Sequence, residues 1–319
     1  MLPEELEIVV IGQLTLDDVV LFDQPALLDS PGGAGLYALA GASFWETKPL
    51  GFVTRLGNDY DLNQVFKIIE NRVDLTGVRQ IDAPSIHIWN LFDRKGNRYF
   101  IKQRWGSDDD IMAIFPEDIP ERYYASAAFL VATYPIEWQA KVIDSLPDAA
   151  IILVDPHFQG VYPEHHEIWN KLLKKINIFL PSEEEILRFF SISSLIDIGD
   201  YLPYLEDLSR RGPEIVGVKL GERGVLVYDK NQQTAWHVPA LVKDTVVDVT
   251  GCGDAFCGGF LASYVRNHDP FISAIHGVVS ASFNLGDYGV VHNFLIKNET
   301  AKQRFDSFCS SLDRNKQKI

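Results

Sequence analysis

Asp248-Val249-Thr250-Gly251-Cys252-Gly253-Asp254-Ala255-Phe256-Cys257-Gly258-Gly259-Phe260 is the stretch on which the fold turns. Residues 245–247 before it read as extended, and residues 260–265 after it read as helix. Glycines on either side of Cys252 let the backbone turn tightly and approach a ligand closely. A glycine turn that opens a helix aims several N–H groups, and the positive end of the helix dipole, at one point. That is an anion site. Asp254 sits oddly there, because a carboxylate repels a bound phosphate. The pair makes sense if the carboxylate takes a proton from an attacking hydroxyl. The amides of Gly251, Cys252 and Gly253 would meanwhile hold charge on the group in transfer. Gly258 and Gly259 each cost about 1 kcal/mol relative to Ala inside a helix, so the pair predicts a very close neighbour. The plainer alternative is a helix start with a capping Asp, packed closely on a sheet.

The motif resembles the C-terminal signature of the ribokinase-like (PfkB) carbohydrate kinases, whose usual form is D-T-x-G-A-G-D. Val249 falls in the Thr/x region and Cys252 replaces the usual Ala. Neither change removes a backbone amide. The resemblance implies transfer of the ATP γ-phosphoryl group, with Mg²⁺, to a hydroxyl of a sugar or sugar-like small molecule. Asp254 would be the base, and Thr250 would support the loop and the phosphate.

Length, charge and cysteine usage agree with such a protein. A chain of 319 residues with 46% hydrophobic residues can bury a sizeable core. A net charge of −15 argues against sequence-independent binding to nucleic acid or to an anionic membrane, both of which need a basic face. An anionic nucleotide must then be drawn by a local site. The three cysteines, Cys252, Cys257 and Cys309, have neither disulfide-framework nor zinc-site spacing. The first residues lack the basic start and apolar core of a signal peptide, and no apolar run approaches transmembrane length. A reducing cytoplasm is the expected compartment.

Working outward, residues 7–12 form an apolar run ending in Gly12, which predicts a buried first strand. Asp17 stands five residues on, and residues 19–22 read as a second extended piece. In the family this spacing marks the first strand and a sugar-binding aspartate, and a carboxylate accepts hydrogen bonds from two vicinal hydroxyls. Pro31-Gly32-Gly33-Ala34-Gly35 opens a buried, alanine-rich helix over 36–44. It resembles the family's N-terminal G-G signature, which places Gly32 and Gly33 against the substrate. Tyr37 stands where the family has a substrate-contacting Asn. A flat phenol in place of a compact amide makes a nucleoside or vitamin-precursor acceptor a second reading. Residues 50–54 read as strand and 62–71 as helix, with Asp59 as its cap or, by resemblance to the family's G-x-D turn, a residue that orients substrate. Residues 86–92 and 98–102, linked by a polar turn with Gly96, read as a hairpin. In the family such strands build a lid over the sugar site. Trp89, Phe92, Tyr99 and Phe100 would then cover substrate or form a dimer seam, with Arg104 and Trp105 as further candidate contacts.

Alternation then becomes regular: strands at 127–132, 151–155 and 176–180, and helices at 136–146, 167–175 and 183–191. This predicts a parallel, doubly wound sheet, with Asp155 at a strand's carboxyl end where ligands bind. His157, His165 and His166 lack fixed metal-ligand spacing and read as solvated loop histidines. Pro181-Ser182-Glu183-Glu184-Glu185 resembles the family's P-N-x-x-E, whose acid organises magnesium; Glu185 matches it and Ser182 replaces the Asn. The same residues also form an ordinary helix cap. Residues 214–220 and 225–228 read as a hairpin around Gly221 and Gly224, with Lys219 in reach of phosphate. It resembles the family's nucleotide hairpin and is not a Walker loop. Residues 269–284 read as a small-residue-rich helix. By resemblance His276, Ser280 and Asn284 lie near the adenine and, in some members, a monovalent cation.

The resemblance covers nearly the whole chain. It implies one ribokinase-like α/β domain over 1–319: a doubly wound, mostly parallel sheet flanked by helices, with a small β lid from roughly 14–30 and 84–105. A homodimer through that lid is a further expectation. A non-catalytic ligand-binding member of the family is the third reading; the intact Asp254 and its glycines weigh against it.

Overall fold

The computed structural model describes residues 6–46, 48–94, 98–102, 109–242 and 246–319. Arg104, Trp105 and the tip of the hairpin turn lie outside the described residues. The strands are β1 (Ile8–Ile11), β2 (Thr15–Val20), β3 (Leu27–Gly32), β4 (Leu50–Leu56), β5 (Val73–Gln80), β6 (His87–Phe92), β7 (Arg98–Lys102), β8 (Ala128–Val131), β9 (Ile151–Val154), β10 (Ile178–Phe179), β11 (Ile215–Lys219), β12 (Val225–Asp229) and β13 (Thr234–Val238). The helices are α1 (Ala34–Ser43), α2 (Leu62–Ile69), α3 (Asp109–Met112), α4 (Ile136–Ser145), α5 (His166–Leu172), α6 (Glu183–Phe189), α7 (Leu202–Arg211), α8 (Cys252–Asn267), α9 (Pro270–Asn284) and α10 (Asn298–Ser311).

Among the described residues the strands form two sheets. The larger has the order β13-β12-β11-β10-β9-β8-β1-β4-β5. It is parallel from β11 to β5 and turns antiparallel only at β12 and β13. Continuous apolar runs such as Ile8-Val9-Val10-Ile11, fully buried at the centre, are what a parallel sheet covered on both faces demands. The chain leaves β1 for β4 and β5 on one side, then returns to β8 on the other. Order therefore reverses beside β1, and the crevice at that switch point is where such folds bind ligands.

The smaller sheet has the order β3-β2-β6-β7. The hairpin β6–β7 is antiparallel, as its pattern predicts, and β2 runs parallel to β6. Strand β3 reads Leu-Leu-Asp-Ser-Pro-Gly, a poor strand by composition. It forms at the sheet edge, where Pro31, which has no N–H to give, is tolerated. Leu28, Tyr99 and Ile101 of this sheet are 62%, 54% and 45% exposed.

Helix α8 is clamped between α1 and α9. A Cβ on Gly258 would lie 1.9 Å from the Ala38 carbonyl oxygen, and one on Gly259 would lie 2.2 Å from Ser280 Oγ. This is the close neighbour the glycine pair predicts. Gly258→Ala drives a methyl into backbone that cannot move aside. It is expected to destabilise the protein by about 3 kcal/mol, read as a lower urea midpoint. An unchanged midpoint would contradict the packing.

His276 on α9 is mostly enclosed, its ring against Trp45 and Phe305, with Nδ1 2.9 Å from the Ile272 carbonyl oxygen. Burial lowers its pKa from 6.5 to about 4. The unfolded chain therefore takes up this proton at a higher pH than the folded one, so stability falls as pH drops from about 6.5 towards 4. Acidifying from pH 7 to 5 is expected to cost on the order of 2 kcal/mol through this residue. His276→Gln should flatten that part of the stability–pH curve, measured by thermal melts. An equal slope in both proteins would remove the assignment.

Candidate active site

Gly251 is the N-cap of α8 and adopts φ 72°, a left-handed conformation that favours glycine. A Cβ there would fall 2.1 Å from the Tyr37 ring. Tyr37 is 3% exposed, so the structure places it beneath this turn. It lies one turn into α1, whose N-cap is Gly33 at φ 100°. The two glycine turns singled out from sequence are thus bridged by one aromatic ring. Behind the second turn, Asp248 Oδ1 accepts the Thr250 amide at 2.8 Å. Asn284 Nδ2 donates to the Thr250 backbone carbonyl at 3.3 Å, and Asn284 Oδ1 accepts from Asn293 Nδ2. Thr250 Oγ1 and Asp248 Oδ2 are buried without a hydrogen-bond partner among the described residues. Buried polar atoms of that kind are costly unless something occupies the site. A helix start also leaves its first-turn amides without intrahelical acceptors. Asp254 falls in that first turn and is partly exposed.

Beside the turn lies a cleft of about 510 Å³. Lys219, Gly221, Gly224, Cys252 and Gly253 share its wall with Ser182, so five residues picked from distant parts of the sequence come together. Gly221 and Gly224 make the β11–β12 turn with φ 59° and 90°. The rest of the wall is mostly apolar, including Leu241, Val246, Phe256 and Leu285, with Glu222 and Ser282 as its other polar residues. Asp17, Gly32 and Gly33 are not part of it.

Under the cleft lies a charged cluster. Lys219 Nζ stands 2.5 Å from Asp155 Oδ2, and the Cys257 thiol donates to the same carboxylate oxygen at 3.4 Å. Burial works against the Lys219 charge, but the Asp155 carboxylate, with smaller contributions from Cys257, Glu185 and Asp254, outweighs it and holds the pKa up. Burial raises Asp155 despite Lys219. Burial, and then the Asp155 charge, push Glu185 up to about 7. Glu185 also completes a capping box on α6. Its Oε2 accepts the Ser182 amide at 2.6 Å, while Ser182 Oγ accepts the Glu185 amide at 3.4 Å. Two buried acids facing one Lys fit a site that takes up further positive charge. A single carboxylate suits Mg²⁺, which keeps most of its waters. Burial raises the Cys257 thiol, which suits an inert thiol in the cluster. Sequence reading put Asp155 at the right end of its strand. Cys257 was passed over, and its place one helical turn after Asp254 was the available signal.

On the other side of the switch point, Asp17 on β2 is 5% exposed. Thr15 Oγ1 donates to its Oδ1 at 2.6 Å, and a Cβ on Gly32 would lie 2.3 Å from its Oδ2. Gly32 thus makes room for the carboxylate. Asp59 accepts the Ser85 amide at 2.8 Å, tying the β4 exit to the smaller sheet. The histidines read as solvated are half-buried. His166 opens α5, stacks on Phe189 and lies 2.8 Å from its carbonyl oxygen. None of the three belongs to a group able to share an ion among the described residues.

What the turn and the cleft can do together is hold an anionic group and hand it to a hydroxyl, the work of a phosphotransferase with an alcohol acceptor. The model of the pfkB family of carbohydrate kinases matches residues 7–297, and the chain belongs to that family. Over 267 residues, 82% of this chain and 89% of its counterpart, it is 28% identical to the cytidine kinase of Thermococcus kodakarensis. A nucleoside kinase of Burkholderia thailandensis, solved with inosine, superposes with a TM-score of 0.74 at 15% identity, over 94% of this chain and 96% of that one. An E. coli protein described as a ribokinase II, solved with ATP and Mg²⁺, superposes with a TM-score of 0.74 at 18% identity, over 95% and 99%. These two structures share the fold. No helix among the described residues is long and apolar enough to cross a membrane.

Proposed function

We propose that the protein transfers the γ-phosphoryl group of ATP to a hydroxyl of a ribose-bearing acceptor, with Asp254 as base. The observation that carries the reading is the left-handed glycine turn at Gly251, with Asp254 in the same first helical turn, beside an apolar cleft. Asp254 accepts the proton of the attacking hydroxyl while that oxygen bonds to the γ-phosphorus and the bond to the bridging oxygen of ADP breaks. The first-turn amides and the helix dipole hold the negative charge of the group in transfer. Thr250 offers its buried hydroxyl to the phosphates. The apolar cleft accepts the adenine, with Gly221 and Gly224 keeping the β11–β12 turn clear of it. Lys219 and Asn284 fix the cleft wall and the loop. Glu185 and Asp155 would hold Mg²⁺, which would supply positive charge against the phosphates. Asp17 orients acceptor hydroxyls, with Gly32 and Gly33 leaving the space, and Tyr37 keeps the two turns in register.

The likeness to a cytidine kinase favours a nucleoside as acceptor. A free sugar is the second reading, since the family model is that of carbohydrate kinases. The exposed apolar side chains Leu28, Tyr99 and Ile101 of the smaller sheet support its role as a lid that covers the acceptor or pairs with a second copy. A panel of nucleosides, pentoses, hexoses and polyols, each with ATP and Mg²⁺ and read by ADP release, tests the proposal. Turnover with pyrimidine or purine nucleosides at least tenfold above that with free sugars is expected. Turnover with free sugars alone would establish the second reading, and no acceptor-dependent ADP release would overturn both.

A further inference from the structure

On the face of β2 opposite Asp17, two carboxylates and an imidazole converge without a compensating cation. Strand alternation sends Asp18 to the other side of the small sheet from Asp17, and the β2–β6 register brings His87 and Trp89 to that same side. Asp29 reaches in from β3, where its φ of 51° turns the strand. His87 and Asp18 are each 5% exposed. Neither ring nitrogen of His87 makes a hydrogen bond of good geometry among the described residues, although both are buried. Its Nε2 nonetheless points into the cluster, 3.3 Å from Asp18 Oδ1 and 3.6 Å from Asp29 Oδ1. Among the described residues, no Lys or Arg pairs with either carboxylate.

The spacing carries the chemistry. A neutral or charged imidazole hydrogen-bonded to a carboxylate sits at about 2.8–2.9 Å. Two ligands of one tetrahedral ion, each about 2.0–2.1 Å from it, lie about 3.3 Å apart. The 3.3 Å to Asp18 Oδ1 equals the second figure, and the 3.6 Å to Asp29 Oδ1 lies a little above it, both longer than the hydrogen-bonded distance. The Asp18 carboxylate is itself held, by the Trp89 indole N–H at 2.7 Å on Oδ2 and by the Asp29 amide at 2.8 Å on Oδ1. Ligating carboxylates are typically fixed by hydrogen bonds of this kind. We propose that Asp18, Asp29 and His87 form a divalent-cation site of the zinc class on the small sheet, with the fourth position open to solvent beside the exposed Asp29. One nitrogen and two carboxylate oxygens suit Zn²⁺ rather than Mg²⁺, which avoids nitrogen ligands. A bound ion ties β2, β3 and β6 together and so braces the strand that carries Asp17.

The test uses the full chain, free of any histidine tag, stripped with chelator and titrated with Co²⁺ in the absence of nucleotide. The expected result is one Co²⁺ per chain with the intense visible absorption of a tetrahedral site, displaced by Zn²⁺, and a metal-dependent rise in melting temperature. Asp29→Asn, at a side chain 69% exposed, keeps the fold and should weaken Co²⁺ binding tenfold or more. His87→Gln, checked for folding by circular dichroism, should do the same. No visible band in the wild type, or bands that persist unchanged in Asp29→Asn, would overturn the site.

Discussion

Replacing Asp254 by Asn is expected to lower kcat by roughly 10³-fold, in line with the 10²–10⁴ that a positioned base contributes. The Kd for ATP should change by less than about threefold. Asn keeps the size and shape of the side chain and leaves the turn at Gly251 intact, so the amides and the dipole that hold phosphate are unaltered. What is lost is the group that accepts the hydroxyl's proton while phosphorus is attacked. Turnover within tenfold of wild type would show that the proton goes elsewhere and would remove Asp254 as base. A loss of ATP binding that matched the loss of turnover would point instead to a structural role in the helix start. Nucleotide titration calorimetry together with steady-state ADP release separates these outcomes.

The second large effect is at Lys219. Its ammonium is the cation beside the buried Asp155 carboxylate and is drawn on by Glu185 as well. Lys219→Met fills similar space but strands those acids. Removing one partner of a buried pair costs about 3–5 kcal/mol, because the other is left uncompensated. Burial already raises Asp155, and Glu185 titrates near 7, so both acids would take up protons when Lys219 is gone. The destabilisation should therefore be greatest at alkaline pH, where both acids must stay charged, and should shrink as pH falls below about 7. Adding Asp155→Asn to Lys219→Met should restore part of the loss. Urea unfolding at pH 6 and pH 8.5 reads all of this. A single variant that loses less than about 1 kcal/mol at both pH values would show that the pair is not the electrostatic centre described.

Much of the arrangement was legible in residue order. The buried first strand, the strand–helix alternation and the close-packed glycine pair of α8 follow from patterns that local chemistry enforces. The β6–β7 pairing of the small sheet is equally local. Strand β3 was not legible, because Asp29, Ser30, Pro31 and Gly32 are individually turn formers and only pairing with β2 at an edge makes them a strand. Helix α7, which opens on Leu202-Pro203 and buries Leu205 and Leu208, also went unread. The site shows the same division. The turn at Gly251 announces itself because few other uses explain two glycines around one residue at a helix start. Tyr37 was legible as unusual, yet its place under Gly251 depends on how α1 and α8 cross, which no local pattern encodes. The pairing of Asp155 with Lys219 and Cys257 joins three distant segments, and the imidazole of His87 reaches Asp18 only through the β2–β6 register.

The central claim is that a phosphoryl group passes from ATP to a hydroxyl at the Gly251 turn. Phosphorus NMR of the wild-type protein with ATP, Mg²⁺ and the acceptor found by the panel tests it most directly. The account predicts one phosphate monoester of the acceptor forming in step with ADP, and no such signal above background with Asp254→Asn. Inorganic phosphate in place of a monoester, or ATP unchanged with every acceptor, would contradict it.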